Sequence, residues 1–213
     1  MYRCVLAGLV AAVGLVSPNL AAAEQFRANF SGFEEIGPLL TSTAIAAGMG
    51  DTGAILSKGT ASLFLNLDTR AGTLEYTLVY ANVGTTAPNT GTVTQAHIHF
   101  GKHHVAGGII VFFCTNLNNG PKGTQTCPAN GGTVTGTLTA ADVVGPTAQN
   151  IPAGDFDGLV AALEHDTAYG NIHTSFYTAG EIRGQIKRCE DDNCLYNLPP
   201  ENGQGNNGQG NQN

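Results

Sequence analysis

The sequence predicts an all-β protein, an antiparallel Greek-key β-sandwich with one short helix. Apolar and polar residues alternate along several short segments, and turn-forming residues separate these segments. The composition agrees, because the chain has 29 glycines, no tryptophan and only 12% charged residues. These features are typical of a turn-rich β protein with its own core.

The N-terminal half contains three segments of strict alternation. Their apolar residues are Phe26, Ala28 and Phe30, then Ala61, Leu63, Leu65 and Leu67, then Leu74, Tyr76, Leu78 and Tyr80. Asp68–Gly72 has the composition of a turn, so the second and third segments are predicted to form a hairpin. The stretch between the first two, Glu34–Lys58, is predicted to be a long loop.

The C-terminal half adds further strands and the predicted helix. Ile109–Cys114 is a continuous β-branched and aromatic run, which predicts a buried central strand. A short strand is expected around Val134 and Leu138. Asp155–His165 is predicted to be a helix with an aspartate cap and a histidine favoured by the dipole at its end.

Two more strands are predicted near the end of the domain, at residues 169–177 and 181–187. A turn at 178–180 separates them, so they are expected to form a hairpin. We predict that Phe176 lies opposite Ile182 in this hairpin, with both residues in the core.

The N-terminus has the pattern of a secretory signal peptide. Arg3 precedes an apolar run, Val5–Val16, and small residues follow at Ala21–Ala23. The run is too short for a membrane span, and no later segment is long and apolar enough for one. The protein is therefore expected to be secreted, extracellular or periplasmic. The predicted division is a signal peptide at 1–23, a sandwich domain at 24–195 and a disordered Asn/Gly/Gln-rich tail at 196–213.

The charge balance excludes two classes of partner. The whole chain carries 9 basic and 16 acidic residues, a net charge of −7. Loss of Arg3 with the signal peptide leaves a net charge of −8. Such a chain is not expected to bind nucleic acid or anionic membranes.

Four cysteines remain after the signal peptide, which indicates disulfides in an oxidising compartment. Three pairings are possible. We favour Cys114–Cys127 and Cys189–Cys194, because each closes a short local loop. A role of the thiols in metal binding is the alternative, although their spacing lacks the close pairs of zinc sites.

The stretch Gln95–Cys114 holds four of the six histidines. His97 and His99 are two residues apart, so on a strand both side chains lie on one face. His173 lies on the corresponding face of a later predicted strand. Three imidazoles are a common ligand set for Zn²⁺ or Cu²⁺. The alternative is that these histidines are polar residues that hydrogen-bond across the sheet and fix its register.

The same strand pattern places other polar residues on the face of the histidines. We expect Asn171, Glu181, Arg183 and Gln185 to support the ligands by hydrogen bonding. In the predicted hairpin, His173 lies opposite Gln185. The alternative for Glu181 and Arg183 is an exposed ion pair of little energetic consequence.

The adjacent residues His103 and His104 follow Gly101 in a predicted loop. We expect them to point apart and to be solvated, which makes them a poor ligand pair.

The sequence favours no enzyme class. It contains no GxSxG nucleophile elbow and no glycine-rich phosphate loop in the required context. Asp155 and Asp157 are better explained as a helix start than as the carboxylate pair of a glycosidase.

Several segments together resemble the CHRD (chordin) domain family. They are FRANFSGFEE, AHIHFG, the Gly107-Gly108 step, GTLTAADV and AYGNIHTSFYTAGEIRGQI. The resemblance spans about Phe26 to Lys187. It implies a secreted domain like those of chordin, an extracellular antagonist of bone morphogenetic proteins. Chordin's cysteine-rich modules are absent from this sequence, so growth-factor binding is not transferred.

A weaker resemblance connects AHIHFG and NIHT to the copper/zinc superoxide dismutase sandwich. In that family, a His-x-His strand and a histidine on a later strand hold copper. The sequence has no His/Asp-rich zinc loop. The resemblance therefore implies an immunoglobulin-like or dismutase-like sandwich rather than dismutase activity.

Two functions follow as expectations. The first is a non-enzymatic binding or structural module for an unknown extracellular protein or glycan. The second is a copper- or zinc-binding protein with the ligands His97, His99 and His173, in which a redox role requires copper or iron.

Overall fold

The computed structural model describes residues 23–36 and 53–190. These residues form nine strands, one α-helix and three short 3-10 turns. The strands are β1 (Glu24–Phe30), β2 (Thr60–Asp68), β3 (Thr73–Ala81), β4 (Val93–Phe100), β5 (Gly108–Thr115), β6 (Gly132–Leu138), β7 (Ala168–Thr174), β8 (Ile182–Gln185) and β9 (Lys187–Arg188). The helix α1 is Phe156–Glu164, and the 3-10 turns are Gly32–Glu34, Ala140–Asp142 and Thr147–Gln149.

Some predictions lie outside the described residues. These are the signal peptide up to residue 22, the tail at 196–213, Cys194, and residues 37–52 of the predicted long loop.

The strands form two antiparallel sheets. The first has the order β6-β3-β2-β1-β9 and the second has the order β5-β4-β7-β8. The chain leaves the first sheet after β3, forms the β4–β5 pair, and returns with β6 beside β3. Among the described residues, no helix is long and apolar enough to cross a membrane. The predicted all-β antiparallel sandwich with one short helix is confirmed.

The core lies between the sheets and is built from the predicted alternating residues. All the apolar residues predicted for β1, β2 and β3 are buried. The second sheet contributes Ala96, Ile98, Ile172 and Ile182, each fully buried. Each large aliphatic side chain contributes about 1.5–3 kcal/mol on burial, so the alternation determines which face of each strand turns inward.

Helix α1 begins and ends as predicted. The Asp155 carboxylate accepts a hydrogen bond from the backbone N–H of Gly158 at 2.9 Å. Leu159 and Leu163 are buried against the sandwich. The Nδ1 of His165 lies 2.9 Å from the carbonyl oxygen of Ala161, so it satisfies one of the last carbonyls of the helix.

Strand β5 is an edge strand, so the prediction of a central strand for Ile109–Cys114 was wrong. The side chains of Ile110–Cys114 are buried, and other segments cover the backbone groups of its open edge. The backbone N–H of Val144 donates to the carbonyl of Ile110 at 2.8 Å, and the Tyr76 hydroxyl donates to that of Phe113 at 3.0 Å. A continuous apolar run indicates burial on both faces but does not indicate what covers the edge.

The cover of this edge also contains the predicted Cys114–Cys127 disulfide, which is confirmed. The backbone N–H of Thr115 donates to the carbonyl of Gln125 at 2.9 Å, so the returning chain lies alongside β5. The proposed partner of Cys189, Cys194, is outside the described residues.

The register of the last hairpin differs from the prediction. Ile172, not Phe176, pairs with Ile182, a shift of four residues. Strand β7 ends at Thr174, and Phe176 is 45% exposed. The turn is longer than predicted because Thr174 accepts a hydrogen bond from Tyr177 within it. A shift by an even number of residues leaves each side chain on its predicted face.

The outer face of the second sheet is buried as well, since all seven residues of β7 are buried. On the inner side, β1 approaches β7 closely, with the Phe30 ring against Gly170. A Cβ atom at Gly170 would overlap that ring. Glycine at this position therefore sets how closely the two sheets pack beside the polar residues of β7.

We predict that Gly170→Ala lowers the free energy of unfolding by about 1–3 kcal/mol, because overpacking displaces the Phe30 ring. Urea denaturation measures this change. The double variant with Phe30→Leu should lose less than the sum of the single variants. Strictly additive losses would show that the added methyl group does not displace Phe30. Thr133→Ala, at an exposed position of β6, is the control.

Candidate metal centre

The three predicted ligands lie together on the outer face of the second sheet. His97 and His99 are on β4, and His173 is on the adjacent antiparallel strand β7. Their sequence neighbours Ala96 and Ile172 point into the core. The polar and apolar residues alternate along both strands, and this alternation places all three imidazoles on the same side of the sheet.

The pairing of β4 with β5 is irregular immediately before each histidine of β4. The register shifts between Ala96 and His97 and again between Ile98 and His99. Such irregularities bend a strand and redirect its side chains, and they are common beside functional sites. Here they place Phe112 opposite His97.

The three rings form a compact cluster. The centroid of the His97 ring lies 5.3 Å from that of His99 and 5.0 Å from that of His173, and the last two are 6.0 Å apart. One ring nitrogen from each residue can be chosen so that all three lie within 4.8 Å of one another. The side chains are 0–7% exposed.

Backbone carbonyls orient two of the imidazoles. The Nδ1 of His99 lies 2.9 Å from the oxygen of Gly107, and that of His173 lies 3.0 Å from the oxygen of Thr178. A carbonyl oxygen only accepts hydrogen bonds, so each Nδ1 carries the proton. In the neutral rings, Nε2 is then left with a lone pair, which is the form that binds metal.

Four buried ring nitrogens have no hydrogen-bond partner among the described residues. They are both nitrogens of His97 and the Nε2 atoms of His99 and His173. A buried polar atom without a partner costs about 1–3 kcal/mol. Four in one cluster call for a ligand, an ion or water at this position.

Burial keeps these imidazoles neutral. It lowers the pKa of His97 well below its usual value, and the neighbouring His173 and His99 lower it further. Burial lowers the pKa of His99 to about 4, although the hydrogen bond to Gly107 opposes the shift. Burial also lowers the pKa of His173. At neutral pH the cluster therefore offers unprotonated ligands.

Aromatic rings enclose the cluster on two sides. Phe112 meets His97 edge-on with centroids 4.4 Å apart. Tyr169 is stacked on His99 with centroids 4.8 Å apart, and the Arg183 guanidinium lies 3.6 Å from the Tyr169 ring centroid. These ring contacts contribute to the burial of the imidazoles.

The residues expected to support the ligands have other partners. Asn171 is opposite His97, but its amide donates to the Glu35 carboxylate at 2.6 Å and to the Ile182 carbonyl at 3.0 Å. The Gln185 amide donates to the backbone carbonyls of residues 101 and 166. Backbone carbonyls occupy the positions predicted for these side chains beside the imidazoles.

Glu181 and Arg183 do not form the exposed ion pair considered as their alternative, since they are 0% and 2% exposed. The Glu181 carboxylate accepts hydrogen bonds from the Ser57 hydroxyl at 2.7 Å and from the backbone N–H of Gly84 at 2.9 Å. Arg183 donates to the Val105 carbonyl at 3.2 Å. Both residues anchor loops to β8 and its turn.

Sequence reasoning missed the roles of Gly107, Thr178, Tyr169 and Phe112. Tyr169 carried a signal, since it has the same parity on β7 as His173. Phe112 carried none, because β5 is a continuous apolar run and its register against β4 is irregular. The carbonyls of Gly107 and Thr178 carried none, because any residue supplies a backbone carbonyl. Their positions depend on loop conformation.

The prediction that His103 and His104 point apart was wrong. Their ring centroids lie 3.8 Å apart. Both rings lie near Glu34, although both residues are exposed, as predicted. His104 has a backbone φ of +60°, a left-handed conformation that turns its side chain toward that of its neighbour.

We predict that the metal-free protein loses stability as the pH falls below about 6.5. The unfolded chain takes up protons near that pH, whereas folded His99 does so only near pH 4. The free energy of unfolding should therefore fall between these two values, by roughly 3 kcal/mol from His99 alone. Urea denaturation of protein treated with a chelator, at a series of pH values, measures this loss.

The control compares two histidine variants between pH 7 and 5. His99→Phe should reduce the pH dependence without abolishing it, since His97 and His173 still contribute. His165→Ala, at an exposed helix end, should leave it unchanged. Equal slopes for wild type and His99→Phe would contradict the prediction.

One comparison with known proteins identifies a family for this chain. The family model for the CHRD domain matches residues 38–186. The match begins after the opening strand that contributed to the predicted resemblance, and it includes all three clustered histidines. No curated protein and no solved structure matches the chain. Because the matched region covers most of the sequence, the chain belongs to the CHRD domain family.

Proposed function

We propose that this chain is a secreted metal-binding module that holds one copper or zinc ion with His97, His99 and His173. The group of these three residues is called the buried triad below. The proposal adds a ligand to the extracellular binding role that the family suggests.

One observation carries the proposal. Four ring nitrogens of the buried triad have no partner among the described residues, and two of the three rings are oriented by a carbonyl on the opposite nitrogen. Histidines that only fix the strand register would use these nitrogens for cross-strand hydrogen bonds. Metal-binding histidines commonly donate their other N–H to a carbonyl or carboxylate.

The donor set suits copper and zinc. Imidazole binds both ions, with metal–nitrogen distances of about 2.0–2.1 Å in zinc sites. Nitrogens around one such ion lie about 3.4 Å apart. The present separations of up to 4.8 Å would then close by no more than about 1.5 Å. Side-chain rotation within the cluster provides movements of this size.

The burial of the triad favours a firmly held ion over a freely exchanging one. Zinc bound here would stabilise the domain, since an ion that binds only the folded state stabilises it by mass action. Copper would add the capacity for electron transfer. In both cases the chain acts as a binding module, and its extracellular partner would be a protein or a glycan.

Secretion is part of this proposal. The N-terminal pattern of a basic residue, an apolar run and small residues supports export. The Cys114–Cys127 disulfide supports an oxidising compartment such as the periplasm or the extracellular space.

We expect the protein purified from its secretory route without a histidine tag to contain about one equivalent of copper or zinc at the triad. His97→Phe and His173→Gln should each weaken binding by at least about 100-fold, since loss of a ligand costs more than loss of its supporting contact. Elemental mass spectrometry and competition with a chelator measure content and affinity. Phenylalanine can pack against Phe112, and glutamine can donate to the Thr178 carbonyl, so both variants should fold.

His165→Ala is the matched control, because His165 is exposed and lies outside the triad. It should keep the metal content and the affinity of the wild type. A wild-type protein that neither contains nor takes up Zn²⁺ or Cu²⁺ at the triad would contradict the proposal. So would folded His97→Phe and His173→Gln variants with undiminished affinity.

A further inference from the structure

A second cluster of metal-binding side chains lies on the surface. The Nε2 of His103 is 2.8 Å from a carboxylate oxygen of Glu34, and that of His104 is 3.8 Å from the same oxygen. The ligand atoms of all three residues lie within 4.8 Å of one another. The histidine side chains are 53% and 63% exposed and that of Glu34 is 39% exposed, so an ion from solution can reach them.

An unusual backbone conformation brings this cluster together. Adjacent residues in an extended segment point in opposite directions. The φ of +60° at His104 instead places its ring beside that of His103. A non-glycine residue in this conformation costs about 1–3 kcal/mol, so the surrounding structure must hold it.

The chemistry of the cluster suits a divalent ion. Two imidazoles and one carboxylate form a common zinc ligand set that leaves a further position open. A solvated His–Glu contact would need only His103, and such contacts contribute little to stability. The second histidine near the same carboxylate oxygen is the feature that a simple ion pair does not explain.

The loop at 101–107, here named the cover loop, connects this cluster to the buried triad. It carries His103 and His104, and its Gly107 carbonyl accepts the hydrogen bond from His99. The backbone N–H of Gly107 donates to the Tyr169 hydroxyl at 3.1 Å. The Val105 carbonyl accepts from Arg183. The cover loop therefore rests on the residues that orient and enclose the triad.

The cover loop is also closely packed at Gly101. A Cβ atom at Gly101 would lie 2.9 Å from the Val105 oxygen and 3.0 Å from the Tyr169 ring. Glu34 is outside the loop, on the 3-10 turn that follows β1. An ion shared by Glu34 and the two histidines would fasten the loop to β1.

We propose that Glu34, His103 and His104 form a second, exposed site for a divalent ion such as Zn²⁺. An ion in this exposed site fastens the cover loop over the buried triad and slows the release of the metal held there. The existence of the exposed site is independent of the proposed function. Its effect on release rests on that function.

The first test measures the stoichiometry of Zn²⁺ binding to the mature protein by isothermal titration calorimetry. We expect two equivalents for the wild type and one for the double variant His103→Ala/His104→Ala. Glu34→Gln should lower the affinity for the second Zn²⁺ ion. Glu75→Gln and His165→Ala, at exposed positions elsewhere, should still bind two ions. Wild-type binding that is unchanged by the His103→Ala/His104→Ala and Glu34→Gln substitutions would overturn the proposal.

The variant His97→Phe separates the two sites. This variant is also combined with His103→Ala/His104→Ala. If His97→Phe alone binds one equivalent of Zn²⁺ and the combined variant binds none, the exposed site is established whether or not the triad binds metal. If the wild type binds one equivalent and only His97→Phe removes it, the triad stands and the exposed site is overturned.

The second test is the rate at which a chelator removes Zn²⁺ from the triad. Zn²⁺ should leave about tenfold faster from His103→Ala/His104→Ala than from wild type loaded at both sites, which corresponds to about 1.4 kcal/mol. The His165→Ala control should release it at the wild-type rate. Equal rates for wild type and the double variant would overturn the fastening of the cover loop.

Discussion

The burial of both faces of the second sheet is the constraint on which the rest of the structure depends. A sheet in a sandwich usually has one face in water, where polar side chains need no protein partner. In this protein, β7 is buried along its whole length, so each polar group on its outer face needs a partner within the protein. Asn171 finds its partners in Glu35 and the Ile182 carbonyl. On the adjacent strand β8, Arg183 donates to the Val105 carbonyl and lies over the Tyr169 ring, although its Nη2 atom has no hydrogen-bond partner among the described residues. Within the described part of the chain, the histidines find theirs only in part.

Sequence periodicity predicted which face of each strand a side chain lies on more accurately than it predicted how the strands pair with one another. The face of His173 was correct although the predicted hairpin register was shifted by four residues, because any even shift preserves the face. The edge position of β5 could not be read from its apolar run, since burial by a loop and burial by a strand require the same side chains. The family resemblance was confirmed by a match to most of the chain.

The site was predictable only where it depends on alternation. The grouping of His97, His99 and His173 required adjacent strands in one sheet, which periodicity suggests but does not determine. The carbonyls that orient the rings belong to loops, and loop conformation depends on contacts far away in sequence. The backbone of His104 is the clearest case, because histidine only weakly favours the left-handed conformation that this residue adopts. The fold is thus determined mainly by the strands, whereas the orientation of the histidine rings in the site depends largely on the loops between them.

The covered edge of β5 has a consequence for how the protein can be produced. The strand contains Ile110–Phe113, four consecutive residues of high β propensity, and part of its cover is held by the Cys114–Cys127 disulfide. In a reducing cytosol that bridge would not persist. An uncovered apolar edge then becomes a template on which other chains add strands, which leads to aggregation. Disulfide formation in this protein therefore protects solubility as well as stability, because it holds part of the cover over this apolar edge.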